Sequence, residues 1–273
     1  MHDEKLLKID VENVIRNKNP KLAKRIPRFV IKYLKRVIHQ EEINTFLSEN
    51  KGIIGLKFVD AVIEFMQLSS KIKGLENVPA SGRFVFASNH PLGGLESMVL
   101  MKVVSEKFSE FKFVVNDILM ELKPLADLFV PVNKHGKQSR ESSNILNDVY
   151  ASDKQVLFFP AGLVSRKIKG KIVDLPWQKS FVSKAVAYQR DIIPVYIEGK
   201  NSKFFYNLAR IRKFLGIKAN IEMLYLVDEM MKQRGRTIVI TFGKPIPYST
   251  FDKSKDYKEW ADYLYQLAYS LKN

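Results

Sequence analysis

Cysteine is absent from all 273 residues. That excludes disulfide cross-links, a thiolate nucleophile and any metal site built on sulfur. Histidine is scarce, and the four present, at positions 2, 39, 90 and 135, show no paired metal-ligand spacing. No metal is expected. Acidic residues also fall short, 29 against 45 lysines and arginines, for a formal charge of +16. Such an excess suits an anionic membrane surface, nucleic acid or an acidic protein partner. No nucleic-acid motif accompanies it, so nucleic acid is not an expected partner. Missing too is any uncharged apolar run of about 18 residues. The best stretch, 53–68, is interrupted by Lys57, Asp60 and Glu64. No transmembrane helix is therefore expected, and Met1-His2-Asp3-Glu4 begins no secretory signal.

What the chain does have is Ser88-Asn89-His90-Pro91-Leu92-Gly93-Gly94-Leu95-Glu96, an imidazole and a carboxylate at the two ends of a glycine-bearing turn. The apolar run Phe84–Ala87 ahead of it reads as a short buried strand, and 95–104 after it has helical spacing. His90 is thus expected at the carboxyl end of a strand, where α/β proteins place ligand sites. A neutral imidazole can take a proton from a hydroxyl while a carboxylate holds its other nitrogen. On these residues alone, a catalytic pair and a loop histidine beside a helix-starting glutamate fit equally well.

Strand-like runs at 84–87, 113–115, 129–132, 156–159, 192–197 and 237–241 alternate with helical patterns near 95–107, 139–150, 179–189, 221–232 and 256–271. That alternation argues for an α/β fold, a central sheet flanked by helices. Ahead of it, 21–38 interleaves seven basic residues with Ile26, Phe29, Val30, Tyr33, Leu34 and Val37 at helical spacing. A basic amphipathic helix of this kind suits an anionic membrane interface; docking of its apolar face on the main domain fits as well. Residues 203–215 form a second such segment. A helical stretch over 41–68 completes an amino-terminal extension, placed at 1–70, ahead of an α/β domain at 71–273.

Asn89-His90 followed closely by an acid resembles the His-x4-Asp motif of the lysophospholipid acyltransferase family, the PlsC-type glycerolipid acyltransferases. Three further segments are similar to that family's blocks in the right order: 128–134 (Leu-Phe-Val-Pro-Val-Asn-Lys), 158–166 (Phe-Phe-Pro-Ala-Gly-Leu-Val-Ser-Arg) and 191–195 (Asp-Ile-Ile-Pro-Val). The resemblance covers about residues 75 to 245 and implies a mixed sheet flanked by helices. It also implies His90 as general base, Glu96 as the acid orienting it, and direct attack by the acceptor hydroxyl on an acyl thioester. Acyl carrier protein or coenzyme A would carry the acyl group, with no cofactor besides. Backbone donors around Gly162 or Gly93-Gly94 are the candidates for holding the oxyanion.

Departures from the family pattern point to the acceptor. The acid comes six residues after the histidine rather than five, and is a glutamate. In the third block the family's glutamate, threonine and arginine are Ala161, Leu163 and Val164. Those positions help hold an acceptor's phosphate in the family, and valine cannot stand in for a bidentate arginine. The second block, which usually supplies an arginine, has Asn133 and Lys134. One branch of the family fits this pattern, the O-acyltransferases of glycine-type amino-acid lipids. It is similar in the His-Pro-Leu-Gly-Gly-Leu-acid wording, the Ser165-Arg166-Lys167 run and the Trp-x-Lys-Ser-Phe segment at 177–181. Its acceptor bears a carboxylate, for which Arg166, Lys167, Lys134 and Lys179 are the candidate cations, Arg166 and Lys179 foremost. Asn89, Gly93, Gly94, Asn133, Gly162 and Ser165 complete the expected acceptor and donor contacts. The expected setting is peripheral, on the cytoplasmic face of a membrane.

Rival readings remain at this point. One is acylation of lysophosphatidate; another is a non-catalytic basic protein binding membrane or nucleic acid. A hydrolase using Ser88 or Ser165 is disfavoured, since neither lies in a Gly-x-Ser-x-Gly elbow.

Overall fold

The computed structural model of the chain describes residues 8–18, 20–132, 140–217 and 220–272. In chain order its main elements are α1 (Val11–Lys18), α2 (Pro20–Arg25), α3 (Arg28–Val37), α4 (Gln40–Glu49), α5 (Gly55–Phe65), β1 (Ser69–Lys73), β2 (Phe84–Ser88), α6 (Leu95–Lys107), β3 (Phe111–Asn116), β4 (Phe129–Val132), α7 (Arg140–Ala151) and β5 (Gln155–Phe158). There follow β6 (Arg166–Ile168), β7 (Lys171–Val173), α8 (Ser180–Ala187), β8 (Asp191–Ile197), α9 (Lys203–Phe214), α10 (Leu226–Met231), β9 (Thr237–Phe242) and α11 (Tyr257–Ser270).

Seven strands form one sheet in the order β1-β9-β8-β2-β5-β3-β4. All neighbours are parallel except β8 with β9, so the sheet is mixed. β6 and β7 make a separate antiparallel hairpin. Every residue of β2 is buried, as continuous apolar runs are in a sheet covered on both faces. On one face Val85, Ala87, Val156 and Ile192 pack with Phe181 and Val182 of α8, Ala261 and Leu264 of α11, and the fully buried Trp177. On the other, Phe84 and Phe86 meet the ring of Phe108, and Phe86 also meets Phe242. An Asp256–Glu259 capping box starts α11. Pro194, which can donate nothing to a ladder, falls just before β8 begins pairing with β9 at Val195.

The described residues form two compact units: those up to Ile53 with Ser202–Arg234, and those of Ile54–Asn201 with Gly235–Asn273. A boundary at residue 70 would cut β1, a strand the periodicity did not reveal, paired in register with β9. The long basic helix read over 21–38 is two helices. Pro27 starts α3 and cannot continue α2, because it lacks an N–H and disfavours helix at the residue before it. The stretch 41–68 likewise divides into α4 and α5 around Gly52, whose φ of +78° breaks the helix. Segment 203–215 does form a helix, α9.

Candidate active site

β2 ends at Ser88 and delivers His90 to the carboxyl end of the sheet. The parallel strand β5 delivers Phe159 to the same end. Glu96, the second residue of α6, is fully buried. Its Oε1 lies 3.0 Å from His90 Nδ1 and accepts from the amides of Leu92 (2.8 Å) and Gly93 (2.9 Å). Its Oε2 accepts from the amide of Gly94 at 2.8 Å. Gly93 has φ +92°, a conformation that glycine adopts without strain, and the turn thereby closes its amides around one carboxylate. The longer turn and the longer side chain are therefore matched to each other.

Burial alone would push the Glu96 carboxyl up. The positive charge and hydrogen bond of His90, with the Gly93 and Gly94 amides, outweigh burial and bring it down to about 2. An ionised carboxylate only accepts, so Nδ1 carries the proton, and whenever the ring is neutral its lone pair lies on Nε2. The ring stacks on Phe159 with centroids 4.3 Å apart, and Phe113 meets Phe159 edge-on at 5.0 Å. With its side chain 17% exposed, His90 is shielded yet reachable. The arrangement is an oriented general base without a protein nucleophile beside it among the contacts described.

The backbone of His90 is pinned as firmly as its ring. Both feet of the β6–β7 hairpin grip it. Ser165, ahead of β6, donates its amide to the His90 carbonyl at 2.7 Å, and its Oγ lies 3.2 Å from the same oxygen. Asp174, after β7, accepts the His90 amide at 3.2 Å on each carboxylate oxygen. Asp174 also accepts from Ser165 Oγ (2.5 Å) and Trp177 Nε1 (3.0 Å), and its own amide donates to Tyr269 Oη at 2.8 Å. Burial raises its carboxyl pKa, and the hydrogen bonds from Ser165, Trp177 and His90 oppose that.

A family model described as an acyltransferase matches residues 13–273. The chain belongs to the acyltransferase family. Two curated acyltransferases match it end to end, both named lyso-glycine lipid O-acyltransferase. The one from Bacteroides thetaiotaomicron is 48% identical over 99% of this chain and 100% of its own. That from Phocaeicola vulgatus is 46% identical over 99% of this chain and 98% of its own. A solved 1-acyl-sn-glycerophosphate acyltransferase, PlsC from Thermotoga maritima, aligns with 80% of this chain and 78% of its own at 17% identity and a TM-score of 0.48, a likeness too weak to build on.

Within this acyltransferase the other expected residues divide by what they touch. Asn89 spends its amide on the main chain of Ile197, donating at 2.9 Å and accepting at 2.6 Å, and so ties the His90 turn to the end of β8. Ser165 is 1% exposed and braces His90 rather than facing a ligand. The Gly93 and Gly94 amides are committed to Glu96, and that of Gly162 donates to the Phe159 carbonyl at 2.9 Å. These three amides are thus engaged in shaping turns. Arg166 donates to the Val164 carbonyl at 2.8 Å. Lys179 is exposed ahead of α8, where its charge acts on Asp256. Asn133 and Lys134 lie outside the described residues. Ala161 and Val164 are 7% and 1% exposed. Sequence reasoning missed Asp174, whose one signal was a lone acid two residues ahead of Pro176-Trp177.

Proposed function

We propose that this enzyme transfers a fatty acyl group from an acyl thioester to the hydroxyl of an N-(3-hydroxyacyl) amino acid, as in the lyso-glycine lipids named for its relatives. The buried carboxylate on His90 Nδ1 is the observation that carries the reading. Nε2 removes the acceptor's hydroxyl proton as the oxygen attacks the thioester carbonyl. The tetrahedral intermediate expels the thiolate, which takes the proton back from the imidazolium. Glu96 stabilises that imidazolium and keeps the tautomer; no acyl-enzyme and no cofactor is needed. General-base assistance of this kind is worth about 10²–10⁴-fold in rate.

The acceptor assignment is supported by the apolar, buried Ala161 and Val164, which leave those positions without the charges that serve a phosphate in the family. A peripheral location on the cytoplasmic face of an anionic membrane is supported by the +16 charge. In the unit containing α3 and α9, Phe29, Phe214 and Leu215 are 73%, 89% and 62% exposed among basic neighbours. No helix among the described residues is long and apolar enough to cross a membrane. Acyl carrier protein and coenzyme A both offer the negative charge this surface attracts.

The test is acyl transfer from labelled acyl carrier protein and acyl coenzyme A to N-(3-hydroxyacyl)glycine and to lysophosphatidate. Product with the glycine lipid and little with lysophosphatidate is expected. Product with lysophosphatidate alone would make this a phospholipid enzyme whose phosphate site uses other cations.

A further inference from the structure

Against the imidazole of His90 lies an aromatic ring that the mechanism above leaves without a task. Phe159, one residue past β5, stacks on it with centroids 4.3 Å apart and planes 20° from parallel. Phe113, from the adjacent strand β3, supports Phe159 in turn, their rings meeting at 5.0 Å and 66°. Both phenylalanines are buried, at 8% and 2% exposure. Three rings thus form one stack across the neighbouring strands β2, β5 and β3, and the proposed base is its end member.

Glu96 by itself does not aim that base. One hydrogen bond at Nδ1 fixes a corner of the imidazole and leaves its plane undetermined, and the plane sets where the Nε2 lone pair points. Flat contact with Phe159 fixes the plane. A second effect arises as the proton moves. The imidazole becomes a cation, and a cation within about 6 Å of an aromatic centroid is attracted by the negative face of the π-system. Glu96 meets that charge at Nδ1, and Phe159 meets it across the face; Asp174, the other acid nearby, is engaged with the main-chain amide. With the His90 side chain 17% exposed, little water competes. The neutral ring carries no such charge, so the face favours the state after proton transfer over the state before it. An interaction of that kind raises kcat and leaves KM alone.

We infer that Phe159 is a positioning residue of the transfer reaction, whose face holds the plane of the His90 ring and stabilises the imidazolium formed there. The inference rests on the function proposed above, in which His90 is the base. An aliphatic side chain could fill the same space, but it would supply neither the flat surface nor the negative face.

The test withdraws electron density from the ring at nearly constant shape, by installing mono-, di- and trifluorinated phenylalanine at position 159. kcat is expected to fall step by step, to about 3–10-fold below wild type with three fluorines, while acceptor and donor KM stay within about 2-fold. The same series at Phe251, a buried ring that meets Trp260, should leave kcat unchanged. Phe159→Leu, which removes the flat face altogether, should lower kcat at least about 10-fold. An activity-independent measurement is NMR of the protein with labelled histidine, His90→Ala identifying the signal. The pH at which the His90 ring takes its proton should drop by about 0.5 to 1 over the fluorinated series. A kcat that stays level across the series would overturn the inference, whatever the titration does. Failure of the function itself has a different signature, wild type giving no product with either acceptor; the titration alone would then sustain or overturn the stabilising face.

Discussion

The loops after β2 and β5 leave adjacent parallel strands at the same end of the sheet, yet they treat buried polarity in opposite ways. The β2 loop wraps a fully buried carboxylate in three amides and an imidazole. The β5 loop instead buries the apolar Ala161 and Val164. A buried charge is tolerated where the chain supplies donors for every oxygen, and costs too much where it does not. Under the proposed function, the first loop moves the proton and the second bears on the acceptor.

Removing the imidazole breaks the first loop's function most completely. His90→Ala should lower kcat by about 10²–10⁴-fold in the transfer assay while the protein still unfolds cooperatively. Activity within a few-fold of wild type would show that the base lies elsewhere.

Glu96→Gln comes next, and it tests the carboxylate cradle itself. A glutamine must turn its NH2 toward either the Gly94 amide or those of Leu92 and Gly93, setting donor against donor. A loss of about 2–4 kcal/mol in urea unfolding is expected, with a fall in kcat. The pH dependence has a definite sign. The folded pKa of about 2 lies below the ordinary 4.5, so the stabilisation, about 3 kcal/mol by linkage, is fully present above pH 4.5 and is lost as pH falls toward 2. Asp174, whose pKa is raised, acts in the opposite sense and offsets part of that decline. Glu96→Gln should therefore flatten the acid limb of stability measured between pH 5 and pH 2.

Asp174→Asn should have the smallest effect of the three. It keeps the size of the clamp but loses an acceptor for the His90 amide or the Ser165 hydroxyl, so kcat should drop roughly 10-fold as the ring's placement loosens, with acceptor KM little changed. An unchanged kcat would mean that the hairpin merely covers the site.

Much of this was legible in the residues. Phe84–Ala87 announces a doubly covered strand because every one of its side chains is apolar, and Gly93-Gly94 between His90 and Glu96 announces a turn that brings the two together. Pro27 was equally visible, and it overrides the periodicity that suggested a single helix over 21–38. β1 was not legible: Ser69-Ser70-Lys71-Ile72-Lys73 carries one apolar residue and is a strand because β9 pairs with it. The Asn89 side chain looked like a ligand contact, and only the arrival of Ile197 shows where its hydrogen bonds go.

Taken by itself, the sequence determined the family, the pairing of His90 with Glu96, the sheet's central strands and the basic surface, since each is written in residues close along the chain or in composition. Tertiary structure alone decided that Asp174 grips the amide of His90 from 84 positions away and that Asn89 ties to Ile197 across 108. Contacts between distant segments leave no periodicity to read. They exist only once the sheet has closed and burial requires each polar group to find a partner.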